Sequence, residues 1–313
     1  MNKWLIFILL ILSTSFWGGN FNAGKLAVEH MEPFSIAAWR FGIAAICMLI
    51  LLGIRERFDG SMFKRNFWAY VLLGVVGVFG FNVLFFVGLK HTSAMNGSLI
   101  MAANPLVTVL LSALILREKI TKRQAIGIAI SLVGVVSVIT KGSLDVLLSM
   151  DFSKGDLIIN AGSICWALYA VLGKKYLKQS TALATTAYSM AVGALLMLPF
   201  TALEAGSGAF FDQAISVQGA ILFMALLGSV LAYLWWNQGI AKIGASKTSI
   251  FFNLVPIWTM VISLATGGTI LTVQVVGGIL VISGVLFSSG FSFGAKKAAP
   301  EIDDQVALQK TQG

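Results

Sequence analysis

The sequence predicts an all-α integral membrane protein of ten transmembrane helices in two inverted five-helix repeats. Three observations predict it. Ten apolar runs are long enough to cross a bilayer, positive charge collects in alternate gaps between them, and the second half of the chain weakly repeats the first. An apolar run of about 20 residues matches a hydrocarbon layer of roughly 30 Å. The spans fall near 4–26, 34–53, 67–88, 93–116, 122–140, 155–173, 183–204, 217–238, 246–267 and 272–290. No connection between them is long enough to fold alone. The chain is 58% hydrophobic and only 11% charged, with a mean hydropathy of +0.88. Soluble domains carry about 25% charged residues.

Charge sets the orientation. Seventeen of the 22 basic residues lie on the side that holds the N-terminus, among them Arg55, Arg57, Lys64, Arg65, Arg117, Lys119, Lys174 and Lys175. Lys90, Lys141 and Lys154 are the three on the other side. Cytoplasmic loops retain Lys and Arg, so both termini are expected in the cytoplasm and the protein in the plasma (inner) membrane. The net charge of +9 therefore records insertion and predicts no nucleic-acid partner. The expected partners are membrane lipids and a small-molecule solute, with the chain acting as a monomer or homodimer.

The spans follow in order. In span 1, Lys3, the apolar run 5–12 and Ser13-Thr14-Ser15 resemble a secretory signal. The run continues through Phe16 and Trp17 with no small-residue cleavage site, which predicts a retained helix. Trp17, Asn20 and Gly24 share one face by i, i+3, i+7 spacing. Span 2 carries Arg40 about seven residues in. A mid-membrane Arg costs at least about 2.5 kcal/mol, so it either clamps a carboxylate or phosphate, or snorkels to the outer headgroups. Lys25, near the outer end of span 1, is expected to snorkel. Span 3 offers Asn82 and a small-residue stripe, Gly74, Gly77 and Gly80, that allows close helix approach. Span 4 has Asn96, Asn104 and Pro105. Cys47 and Cys165 fall inside spans and predict no disulfide framework.

From span 6 onward the pattern returns. Trp17, Gly24 and Lys25 precede Trp166, Gly173 and Lys174 by 149 residues. Gly88, Ala94, Ser98 and Pro105 precede Gly239, Ala245, Ser249 and Pro256 by 151. Gln124, Gly127 and Gly134 precede Gln274, Gly277 and Gly284 by 150. By the same offsets Asn20 pairs with Tyr169, and Asn82 with Tyr233. Five spans per half is an odd number, so span 6 enters from the side opposite to span 1. The repeats, 1–145 and 150–290, are thus inverted, with a polar tail at 291–313 that is expected to be a disordered cytoplasmic segment. Pro105 and Pro256 each remove a backbone bond inside matching helices. Matching kinks fit either gates or static bends.

Several residues also carry a resemblance. Ser15-Phe16-Trp17-Gly18-Gly19-Asn20-Phe21, Ala38-Trp39-Arg40-Phe41, and Leu116-Arg117-Glu118-Lys119-Ile120-Thr121 followed by Gln124 and Gly127 are similar to signatures of EamA-type members of the drug/metabolite transporter superfamily. In the second half Thr266-Gly267-Gly268 stands where that family usually has an acid. The resemblance covers about residues 5–290. It implies ten helices in two inverted repeats and export of small metabolites.

The chemistry inside the spans points the same way. None of the thirteen acids lies mid-span, which favours facilitated export or exchange over proton coupling through a membrane carboxylate. His30 and His91 fall in outer loops. No nucleophile–base pair, metal motif or nucleotide loop is present, so no enzyme activity and no cofactor are expected. Inverted repeats characterise secondary transporters with a site near the midplane. Aromatic and amide groups supply the candidate wall: Trp17, Asn20, Arg40, Asn82, Trp166, Tyr169, Tyr233 and Asn253, with Pro105 and Pro256 as candidate gates. Trp4, Trp235 and Trp236 are expected mainly as interface anchors. A passive small-solute channel or a membrane binding protein without transport is the alternative.

Overall fold

The structure is a computed structural model that describes residues 3–140, 142–143, 145, 148, 153–204, 210–265 and 272–289. The Thr266-Gly267-Gly268 stretch, Lys141, Asp151 and the tail from 290 lie outside the described residues. Described residues are overwhelmingly helical, with no strand among them. The helices are α1 (Lys3–Val28), α2 (Pro33–Arg55), α3 (Gly60–His91), α4 (Ala94–Ala102 then Asn104–Ile115), α5 (Lys122–Thr140), α6 (Lys154–Tyr176), α7 (Ala182–Thr201), α8 (Ile215–Ile243), α9 (from Ala245 to Ala265) and α10 (Thr272–Ser289). Eight of them, all but α5 and α10, are long and apolar enough to cross a membrane. Stripes such as Leu5, Ile8 and Leu12 on α1, and Ile46, Ile50 and Ile54 on α2, face outward. Polar residues such as Asn82, Asn104, Ser163 and Thr186 are buried instead. Water would favour the reverse arrangement; hydrocarbon favours this one.

Helix ends are fixed by local chemistry. Pro33 occupies the first turn of α2, where its missing N–H costs nothing. Ser153 and Asp156 form a reciprocal capping box that starts α6. The motif residues Thr121 and Gln124 do the same for α5: Thr121 N donates to Gln124 Oε1 at 3.0 Å, and Gln124 N donates to Thr121 Oγ1 at 3.2 Å. Glu118 accepts from Ser246 Oγ at 2.7 Å and ties the turn before α5 to the start of α9. α3 begins earlier than the apolar run, because Gly60–Phe67 is a basic, partly exposed first stretch capped by Asp59.

The matched prolines mark helix restarts. Pro105 lies in the first turn of the second piece of α4, after a break at Ala103. Pro256 lies in the first turn of the last α-helical piece of α9, Val255–Ala265, after a 3-10 stretch at Ile250–Leu254. α3 and α8 share another irregularity, π-helical segments at Gly74–Gly80 and Leu226–Leu231.

Packing follows one rule. α1 lies against α8, α3 against α6, α2 against α7, and α5 against α10. Exchanging each helix with the one five places along turns this set into itself. The pairs are antiparallel. Gly88 meets Ile159 while Gly77 meets Tyr169, and Gly239 meets Leu10 while Gly228 meets Asn20. At one end of α2, Phe34 N and Ser35 N both donate to Glu204 at 2.9 Å. At the other end, Glu56 accepts from Thr181 Oγ1 at 2.6 Å, beside the start of α7. α5 and α10 cross through glycine: a Cβ at Gly127 would overlap Ser288, and one at Gly134 would press on the Gly277 carbonyl.

Candidate functional site

A small cavity of about 20 Å³ lies where α1, α2, α3 and α4 meet α6, α8 and α9. That is room for about one water molecule. Six of the eight residues expected to wall a site line it: Trp17, Asn20, Arg40, Asn82, Trp166 and Tyr233. Phe21, Phe81, Phe85, Met101 and Phe252 complete the wall.

Aromatic rings form the scaffold. Trp17 meets Trp166 edge-on at 5.3 Å, Trp236 at 4.8 Å and Phe252 at 5.3 Å. Such pairs are each worth about 0.5–1.5 kcal/mol beyond area burial. Trp17 Nε1 donates to Gly228 O at 2.8 Å, a carbonyl within the π segment of α8. Its counterpart, Trp166 Nε1, is buried with no hydrogen-bond partner. Trp236 is buried in the cluster and is therefore not an interface anchor; Trp4 is about half exposed, as an anchor would be. Trp235 stacks on Phe16 at 5.9 Å.

Arg40 sits inside this scaffold, 2% exposed. Its Nε donates to Ser229 Oγ at 2.9 Å and its Nη1 to Asn82 Oδ1 at 3.3 Å. With the Asn20 amide oriented to satisfy both its atoms, Arg40 Nη2 donates to the Asn20 oxygen at 3.0 Å. The guanidinium carbon lies 4.9 Å from the Phe41 ring centre. Snorkelling to the headgroups is thus overturned for Arg40: its neighbours enclose it in the core. Lys25 does not snorkel freely either. Its Nζ donates to Leu89 O at 3.1 Å and Thr92 O at 3.2 Å, closing the C-terminal end of α3. Asn82 links onward, donating to Tyr233 Oη at 3.0 Å, so residues expected to be repeat counterparts bond each other.

Tyr169 and Asn253 stand apart from the cavity. Tyr169 stacks on Trp166 at 5.3 Å and 11°, and the root of its ring lies against Gly77. It lines a second, larger cavity of about 200 Å³ toward Lys174 and Ser180. There Asn237 Nδ2 donates to Tyr169 Oη at 2.7 Å and to Thr186 Oγ1 at 2.9 Å. The Trp166–Tyr169 stack therefore separates the two spaces. Asn253 is fully buried in the 3-10 stretch of α9 and lines neither cavity. Pro105 and Pro256 flank the site without lining it.

Sequence reasoning missed Ser229 and the phenylalanines. Ser229 is a small residue within an apolar run, and nothing in the sequence pattern singles it out. Among the described residues, no cluster of His, Cys, Asp or Glu suits a metal ion.

A multi-pass helical bundle with a central aromatic and amide cavity defines a membrane transporter class, and comparisons with known proteins specify it. The profile of the EamA-like transporter family matches twice, over residues 4–140 and 153–290. The chain belongs to that family. It is 50% identical to the uncharacterized transporter YyaM of Bacillus subtilis (strain 168), over 91% of this chain and 93% of that one. It is 24% identical, over 93% of this chain and 95% of the other, to a probable terminal-alkyne amino-acid exporter of Streptantibioticus cattleyicolor. A crystal structure superposes with a TM-score of 0.75 over 92% of this chain and 97% of that one, at 16% identity, a likeness of fold.

Proposed function

We propose that the chain is a secondary transporter of the plasma membrane that exports a small organic metabolite by alternating access. In this reading all ten helices span the membrane, as two inverted five-helix repeats at 1–145 and 150–290, with both termini cytoplasmic. The single observation that carries it is the central cavity, walled by α1–α4 from one half and α6, α8 and α9 from the other. Antiparallel pairing that survives exchange of the halves supports the inversion. A site at such an interface can open to one side and then the other. The relative named as an amino-acid exporter supports an amino-acid-like solute.

Trp17, Asn20, Arg40, Asn82, Trp166 and Tyr233 hold the solute here, Tyr169 closes the wall toward Ser180, and Asn253, Pro105 and Pro256 lie on the moving α4 and α9. The test is counterflow in proteoliposomes. Replacing Trp17, Asn20, Trp166 or Tyr169 by Ala should lower saturable flux at least tenfold with normal insertion. Unchanged flux in all four variants moves the site elsewhere. Flux that never saturates would instead mark a passive channel.

A further inference from the structure

We propose that the solute carries a single carboxylate and that Arg40 is its counter-ion. This rests on the reading of the central cavity as the solute site and adds the chemistry the solute must have.

Among the described residues, no anion pairs with the buried Arg40. Its three hydrogen-bond partners, Ser229, Asn82 and Asn20, are all neutral. The described acids near the helix ends are engaged there: Glu204 at the start of α2, Asp156 with Thr92 at 2.6 Å, Glu32 with Lys90, and Glu118 with Ser246. None lines the cavity. A guanidinium has five N–H donors in a fork that matches a carboxylate, so three neutral acceptors leave donors unspent.

A second donor stands open in the same wall. Trp166 Nε1 is buried and has no acceptor, whereas the equivalent indole of Trp17 has one. The amides cannot serve it. Both side-chain oxygens, of Asn20 and Asn82, face Arg40. Asn82 Nδ2 is spent on Val78 O and Tyr233 Oη. A buried donor left open is unfavourable, and a buried unpaired charge is more so.

A carboxylate answers both defects. It has two oxygens with about four lone-pair sites, enough for the guanidinium fork and an indole N–H. Its one negative charge balances one Arg. A dianion such as a phosphate monoester would leave a net negative charge in the membrane interior. The cavity holds about one water here, so the solute enters as the two halves part, and Phe81, Phe85 and Phe252 of the wall then face its apolar part.

The experiment is thermal melting of the full chain in lipid nanodiscs. Probes are acetate, isovalerate, phenylacetate, L-leucine and L-phenylalanine, each beside its amide, with phenyl phosphate as the dianion. At least one carboxylate should raise the melting temperature, with an apparent affinity at least tenfold above that of its amide and of phenyl phosphate. Arg40→Met should erase the shift, Arg40→Lys should keep part of it, and Trp166→Phe should weaken it several-fold. Without ligand, Arg40→Met should melt within a few degrees of the native chain, because losing an unpaired charge offsets the Asn20 and Asn82 oxygens it leaves without a donor. A fall of many degrees would instead make Arg40 a structural strut and overturn the proposal. Amides acting as well as acids, or no shift from any carboxylate, would also overturn it. Neutral probes that bind in a Trp17-dependent way would sink the carboxylate alone and leave the cavity as the solute site. Flux indifferent to Trp17→Ala, Asn20→Ala, Trp166→Ala and Tyr169→Ala alike would place the solute site elsewhere and overturn both readings of this cavity.

Discussion

Asn253 is buried among Phe251, Phe252 and Leu254, with neither its amide oxygen nor its nitrogen hydrogen-bonded. An unsatisfied buried amide costs about 1–3 kcal/mol, whereas an apolar residue of similar shape costs nothing of the kind. Asn253→Leu should therefore raise the melting temperature by a few degrees. A drop would mean that the amide has a partner in this conformation. Residues at this scale were legible in the sequence in proportion to their rarity. Arg40, Asn20 and Asn82 stand out because a polar group in hydrocarbon demands a reason. Phe81, Phe85, Met101 and Phe252 do not stand out, because an apolar side chain in a span looks the same whether it faces lipid, a neighbouring helix or a cavity. Trp236 misleads for a related reason. An indole suits the interface and the core equally, and only packing decides.

At the scale of elements, the two π segments set how closely helices approach. Tyr169 stacks on Trp166, and a Cβ at Gly77 would overlap the root of the Tyr169 ring near its own backbone. The ring root cannot swing aside, so Gly77→Ala should cost about 1–3 kcal/mol through overpacking. Gly228→Ala meets the Asn20 amide, so it should also disturb the oxygen that accepts from Arg40. Melting curves and counterflow together check this. Gly77→Ala should lower both stability and flux, and a well-tolerated Ala would mean that α3 and α6 are looser than drawn. The end contacts of α2 give a second test. Glu204 accepts three hydrogen bonds from Phe34 and Ser35 at the positive end of that helix. Glu204→Gln should cost about 1–2 kcal/mol by removing charge-assisted acceptors. The sequence marked the glycines as a small-residue stripe but not the π-helix around them. The side chains packed on those glycines, Tyr169 on Gly77 and Val192 on Gly74, come from α6 and α7, and no local pattern encodes such partners.

For the whole molecule, the informative feature is where the two halves differ. Trp17 bonds the Gly228 carbonyl in the π segment of α8, while Trp166 and Gly77, their counterparts by offset, do not bond. The cavity of about 200 Å³ that Tyr169 lines lies on the Ser180 side. If transport proceeds by the halves exchanging conformations, the opposite state should form the Trp166–Gly77 bond and release Trp17. Each indole then holds one state, and removing its N–H should favour the other. A bond of about 1 kcal/mol would shift the populations roughly fivefold. The check is labelling of Ser180→Cys by a membrane-impermeant thiol reagent, in a chain whose Cys47 and Cys165 are replaced by Ala. Trp17→Phe should slow labelling at Ser180→Cys, because it weakens the state in which that side is open. Trp166→Phe should leave labelling unchanged or speed it. Both substitutions moving the rate the same way would show that these indoles stabilise packing in common, and that the asymmetry of the bond is not the difference between the two states.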